Sequence, residues 1–123
     1  MAQPESESKI ELIGSILHTY PQGDFDLIAL KEYGERIIAM TEGLDQWVLF
    51  EHTMCDAGLS TTSMTYLFEM YETFSSHGCQ GIAIGGDSLF VDIIPNFAVK
   101  SLSVPLATGH CDQKLESFLQ GLI

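Results

Sequence analysis

The sequence predicts an α/β domain built on a mainly parallel sheet. Short runs of strand-forming residues alternate with stretches of helical periodicity, glycines close most of these stretches, and the connections between them are short. A crossover between parallel neighbours needs a helix-sized connection, and the alternation supplies one after each strand. With 123 residues, 46% of them apolar, the chain is long enough to bury one core and too short for two domains of ordinary size. Residues 10–123 are therefore expected to form a single domain, with a sheet of four or five strands packed with helices. A polar, disordered lead-in over residues 1–9 is expected to precede it.

From Lys9 to Tyr20, Ile10, Leu12, Ile16 and His18 are interleaved with Glu11 and Ser15, which predicts one extended strand with a bulge or bend at Gly14. Pro21-Gln22-Gly23-Asp24 is turn chemistry, and Asp24 or Asp26 can accept a hydrogen bond from the free amides that open a helix. Leu27, Leu30, Ile37 and Ile38, with Tyr33 and Met40 beside them, then recur at helical spacing. This predicts a helix over 26–42, with Gly43 as a left-handed cap.

Trp47-Val48-Leu49-Phe50 is a continuous apolar run of strand formers, as in an interior strand covered on both faces, and His52 to Gly58 is expected to leave it as a loop. Met64, Leu67, Phe68, Tyr71 and Phe74 form the clearest helical stripe, predicting a helix over 62–76. Tyr66 and Met70 fall off that stripe and are open to a partner. Gly81 to Gly86 gives a third strand. Over 87–101, Phe90, Ile93, Ile94 and Phe97 fit a helix that Pro95 should end. Leu102 to Ala107 is read as the fourth strand. Gly109-His110-Cys111-Asp112 leads into a last amphipathic helix near 112–120, carrying Leu115, Phe118, Leu119 and Leu122. The expected order is βαβαβαβα.

Five Lys and Arg stand against 17 Asp and Glu, a formal charge of −12. That field repels phosphate, which disfavours nucleic acid and anionic membranes and attracts a partner with a basic surface. No apolar run approaches the roughly 20 residues of a membrane span, and the polar start lacks the character of a secretory signal. A cytoplasmic location without membrane insertion is the expectation. Cys55, Cys79 and Cys111 are an odd number without a Cys-x-x-Cys pair, which points to reduced thiols rather than a disulfide framework.

In open α/β sheets, ligands and partners meet the loops at the carboxyl ends of the strands. Here those loops are His52 to Ser60, Gly85 to Ser88, and Thr108 to Asp112. His52-x-x-Cys55, His77-x-Cys79 and His110-Cys111 offer imidazole and thiolate, the usual zinc ligands. His77 and Cys79, however, enter a strand at the end opposite the other pairs, so the three pairs should not converge. A set of His52, Cys55, His110 and Cys111 stays geometrically open. Cys55 ahead of a helix invites a nucleophile reading, yet the position six residues later is Thr61, and Arg36, the only arginine, lies in the first helix. Gly85-Gly86-Asp87-Ser88 lacks the lysine and glycine pattern of a P-loop and reads as a turn. Ser60 to Ser63 fit a helix cap and first turn, or a phosphoacceptor patch that the helix dipole would favour.

In its order and spacing the chain resembles the STAS domains, and within them the SpoIIAA-like branch, which includes many small bacterial proteins of unassigned function. The resemblance lies in Gly23-Asp24-Phe25-Asp26 before the first helix, the strand-loop-helix unit Val48 to Phe74, Gly78 ahead of the next strand, and the terminal helix after Val104-Pro105-Leu106. Anti-sigma-factor antagonists of this superfamily are phosphorylated on a serine or threonine at the start of the helix after the central strand. The resemblance places that position at or near Thr62. Where the antagonists carry Asp-Ser-Ser-Gly, this chain has Thr61-Thr62-Ser63-Met64. What carries over is thus the partner-binding surface rather than the phosphorylation.

The expected function is a non-enzymatic, STAS-like module that binds a protein or small ligand and is compatible with a homodimer, with Asp56, Ser60, Thr61 and Thr62 as the binding residues. No cofactor or metal is called for. The alternative is a small enzyme using Cys55 with His52 or His110.

Overall fold

The computed structural model describes residues 9–21, 24–53, 58–59, 61–86, 91 and 102–123. Two strands, not one, open the chain: β1 (Lys9–Ile13) and β2 (Ile16–Tyr20) pair antiparallel, with Ile13 opposite Ile16. Gly14 and Ser15 form the two-residue loop between them. Gly14 has a φ of 62°, and no described non-glycine residue has positive φ, as in a type II′ hairpin turn. The expected single strand is therefore corrected: the glycine reverses the chain instead of bending it, and Lys9, assigned to the lead-in, begins β1.

After β3 (Asp24–Phe25), α1 (Leu27–Thr41) begins where the sequence placed it. Asp26 is its cap, Oδ1 accepting from the Ala29 amide at 2.8 Å. Leu30, Tyr33, Gly34 and Ile37 form its buried face. The next strand, β4 (Trp47–Thr53), is longer than its apolar run. Glu51, His52 and Thr53, read as the strand end or the start of a loop, remain in the ladder because each finds a polar or aromatic partner on its own face of the sheet.

β5 (Gly58–Leu59) pairs with β3 in a separate two-stranded parallel piece, and α2 (Thr61–Ser76) follows. Met64, Leu67, Tyr71 and Phe74 are buried as the stripe predicts. Met70 is corrected, since it too is buried, against Gly34 of α1, where an added Cβ would stand 2.7 Å from its Sδ. Tyr66 is half-buried and, with Met70, borders a groove of about 240 Å³ between the two helices.

β6 (Cys79–Gly86) is the third parallel strand. The expected helix ending near Pro95 lies outside the described residues except for Val91, which is buried. The fourth strand of the sequence reading shrinks to β7 (Leu106–Thr108), because Pro105 has no amide to offer a ladder. Its carbonyl still accepts from Ile82. The chain closes with α3 (Asp112–Gln120), as the periodicity predicts.

The five-stranded sheet has the order β1-β2-β4-β6-β7, mixed at the hairpin and parallel elsewhere. The strand pleat sorts successive residues to opposite faces. Leu17, Trp47, Leu49, Ile82 and Ile84 pack with α1 and α2, while Ile16, Val48, Phe50 and Ala83 pack with α3. Gly81, Ala83 and Gly85 leave a shallow track for α3 on β6. A Cβ on Gly81 would stand 2.2 Å from Leu122 Cδ1, and one on Gly85 2.7 Å from Leu115 Cδ1. Side chains there would have to displace the Leu122 and Leu115 side chains from the track.

Candidate functional site at the carboxyl end of the sheet

Parallel strands connected by helices place their carboxyl ends, and the starts of the following helices, at one rim. The structure brings the described parts of the expected loops together there. Thr53 Oγ1 donates to the Gly85 carbonyl at 2.6 Å, the Gly109 amide donates to Ile84 O at 3.2 Å, and His110 Nδ1 lies 2.9 Å from Gly86 O. α3 starts beside this point with Asp112. α1 starts at the same end, where Leu27 and Ile28 are exposed, Ile28 to 69%.

Of the sequence-predicted binding residues, Asp56 and Ser60 lie outside the described residues, as does Cys55. Thr61 and Thr62 are the first two residues of α2, and their side chains also lie outside the description. Gly85 and Gly86 belong to β6, while Asp87 and Ser88 of the expected turn are again outside. Of the thiols, Cys79 and Cys111 are both free; Cys79 is buried and Cys111 is exposed. Burial pushes the Cys79 thiol up to about 12, which keeps it protonated and poorly nucleophilic.

Two polar clusters that sequence reasoning missed flank β4 near this rim. On the face of α1 and α2, Glu51 is enclosed and accepts from both Tyr33, through Oε2, and Tyr71, through Oε1. Tyr33 Oη also shares a hydrogen bond of 2.7 Å with Thr19 Oγ1. Burial raises the Glu51 carboxyl above its ordinary value, against the lowering pull of the two phenol hydrogen bonds. Burial first, and then the Glu51 charge, hold both phenols well above 10. The signal was present in the sequence: tyrosine instead of phenylalanine on two buried helical stripes, and a glutamate continuing an apolar strand, imply that hydroxyls and carboxyl need one another.

On the opposite face His18 Nδ1 lies 2.8 Å from His52 Nε2. The ring planes differ by 20° with centroids 5.1 Å apart, so the two imidazoles meet edge to edge, one N–H donating to the other ring's lone pair. The His52 ring also lies against Phe50 at 3.9 Å and Tyr20 at 4.7 Å between centroids. Burial lowers both imidazoles from 6.5 and outweighs the nearby carboxylates, Glu116 and Glu11 for His18, Asp112 and Glu116 for His52. Repulsion between the two rings lowers His52 further. The enzyme alternative assigned His52 or His110 to Cys55, which lies outside the described residues; His52 meets His18, and His110 meets the Gly86 carbonyl. Among the described residues, no group of three or more His, Cys, Asp and Glu is arranged to hold a metal ion.

Comparison with family models, curated proteins and solved structures finds no match to the chain. Among the described residues, no helix is long and apolar enough to cross a membrane.

Proposed function

We propose that this chain is a non-enzymatic binding module that engages a protein with a basic surface through the carboxyl-end rim of its sheet. The observation that carries the reading is the convergence at one rim of the starts of α1 and α3 with the ends of β4, β6 and β7, in a molecule with a formal charge of −12. The rim offers both parts of a protein-binding patch: exposed apolar side chains at Leu27 and Ile28, and exposed carboxylates at Asp26 and Asp112. The resemblance to STAS domains supports the same reading through its partner-binding surface at the start of α2. The mainly parallel five-stranded sheet fits the coarse architecture which that resemblance implies.

The test pairs a binding assay with melting curves for the native chain, Thr62→Glu and Cys55→Ser, using partners recovered from native lysate on the immobilised chain. Thr62→Glu adds a negative charge to the first turn of α2, where the helix dipole favours it, so melting should hold while binding changes. Cys55→Ser should leave binding intact, and association should slow as salt rises. Turnover of a substrate that Cys55→Ser abolishes while Thr62→Glu changes nothing would replace the module with the cysteine enzyme.

A further inference from the structure

The sheet ends differently on its two sides. β7 is three residues long and follows Pro105, which has no amide to offer a neighbour, so that edge is short and blunted. β1 has five residues, none of them proline, and among the described residues no strand pairs with its outer side. It is the edge left open to another chain.

The hairpin decides what that edge offers. A two-residue loop is closed by a hydrogen-bonded pair, here Ile13 with Ile16, and antiparallel pairs alternate between bonded and non-bonded. Lys9, Glu11 and Ile13 thus bond to β2, while Ile10 and Leu12 turn their amides and carbonyls outward. The pleat sorts the side chains in the same way. Ile10 and Leu12, half-buried, pack with the core under α1 and α2. On the other face Glu11 stands opposite His18, and Lys9 opposite Tyr20, with Nζ 5.5 Å from the ring centroid.

This pattern of one cation and one anion, two residues apart, is complementary to itself. With a two-fold axis at Ile10, Ile10 exchanges both backbone hydrogen bonds with the partner's Ile10, and their apolar side chains meet. Lys9 then stands opposite the partner's Glu11, and Glu11 opposite the partner's Lys9. An axis at Glu11 would instead set two carboxylates directly opposite each other, which destabilises. A purely basic strand would set a cation against Lys9.

We propose that the β1 edge pairs antiparallel with the β1 edge of a second copy of this chain, centred on Ile10, joining two five-stranded sheets into one. The pairing is isologous and the β7 edge is blunted, so assembly closes at two copies. The formal charge of −12 opposes approach at long range, but at physiological ionic strength the Debye length is about 8 Å and cross-strand contacts act well within it. The dimer does not depend on what the rim binds.

Sedimentation of the full chain at physiological ionic strength, over a concentration series reaching about 1 mM, tests this. The native chain should show a reversible monomer–dimer equilibrium. Lys9→Glu and Glu11→Lys each turn two cross-strand attractions into repulsions, so each should weaken the dimer about tenfold or more. An equimolar mixture of the two variants should recover near-native affinity, because every charge then meets its opposite, and that recovery also shows that both variants fold. Hydrogen exchange locates the contact: protection of the Ile10 amide should rise with concentration in the native chain, while that of Glu11, already bonded to β2, should not. A native chain still monomeric at the top of the series, a dimer that the single variants leave unchanged, or a mixture no tighter than its components would overturn the pairing.

Discussion

Glu51 and His52 are neighbours in sequence and stand in different solvents. The pleat of β4 turns Glu51 into a fully enclosed space between α1, α2 and the sheet, and turns His52 towards a half-open edge beside α3. Each recruits partners from elements distant in the chain: Tyr33 and Tyr71 for the carboxyl, and His18 for the imidazole. The enclosed cluster is polar but satisfied, so it works as part of the core, and a loss there cannot be repaired by water. The half-open cluster can exchange its protein partner for water. One peptide bond thus separates a fixed point of the fold from a point that responds to its surroundings.

Truncation should expose that difference most strongly. Glu51→Ala leaves two buried phenols without their acceptor beside a new cavity, and should cost about 3–4 kcal/mol in urea unfolding. If it costs less than about 1 kcal/mol, the enclosed cluster is not what holds α1 and α2 together. Gly85→Ala places a methyl against Leu115 and Phe50. It should cost about 1–3 kcal/mol, with α3 amides losing protection before those of α2. His52→Ala should cost only about 1 kcal/mol at pH 7.5, because water can solvate the ring left behind.

The pH dependences sharpen the contrast because they run in opposite directions. The His18 and His52 imidazoles are lowered in the folded chain, so their contribution is present above 6.5 and is lost as pH falls through their folded values. The destabilisation by His52→Ala should accordingly shrink between pH 7.5 and 5. Glu51 is raised in the folded chain, so its contribution is complete below its ordinary 4.5 and is lost as pH rises through the folded value. Glu51→Gln, which removes that titration and keeps a hydrogen-bonding group in place, should give the smallest change at low pH. It should also flatten the stability profile on the alkaline side of the carboxyl range. Profiles of the native chain and of Glu51→Gln that stay parallel across that range would show that the carboxyl does not titrate with folding.

The three helices α1 to α3 of the described residues were legible because each carries its own period or stop: Asp26 before α1, the Met64 to Phe74 stripe, and Leu115 with Leu119. The hairpin was legible in principle, since Gly14-Ser15 between Ile13 and Ile16 is a type II′ turn signal, but the alternation on either side reads equally well as one strand. The end of β4 was not. Glu51, His52 and Thr53 look like a loop until their partners, 18 to 34 residues away in sequence, are brought across the sheet. The rim itself followed from the parallel topology, whereas the pairing of His18 with His52 depends on strand register, which no local pattern encodes.

The short piece formed by β3 and β5 couples what the main sheet keeps apart. Asp24 pairs with Gly58 and Phe25 with Leu59, so the segments leading into α1 and α2 are yoked by backbone hydrogen bonds outside the five-stranded sheet. A force applied at the start of either helix is shared with the other without first passing through β2 and β4. A partner seated on one of these helix starts would thus pull on both, and the rim would yield or hold as a single mechanical unit.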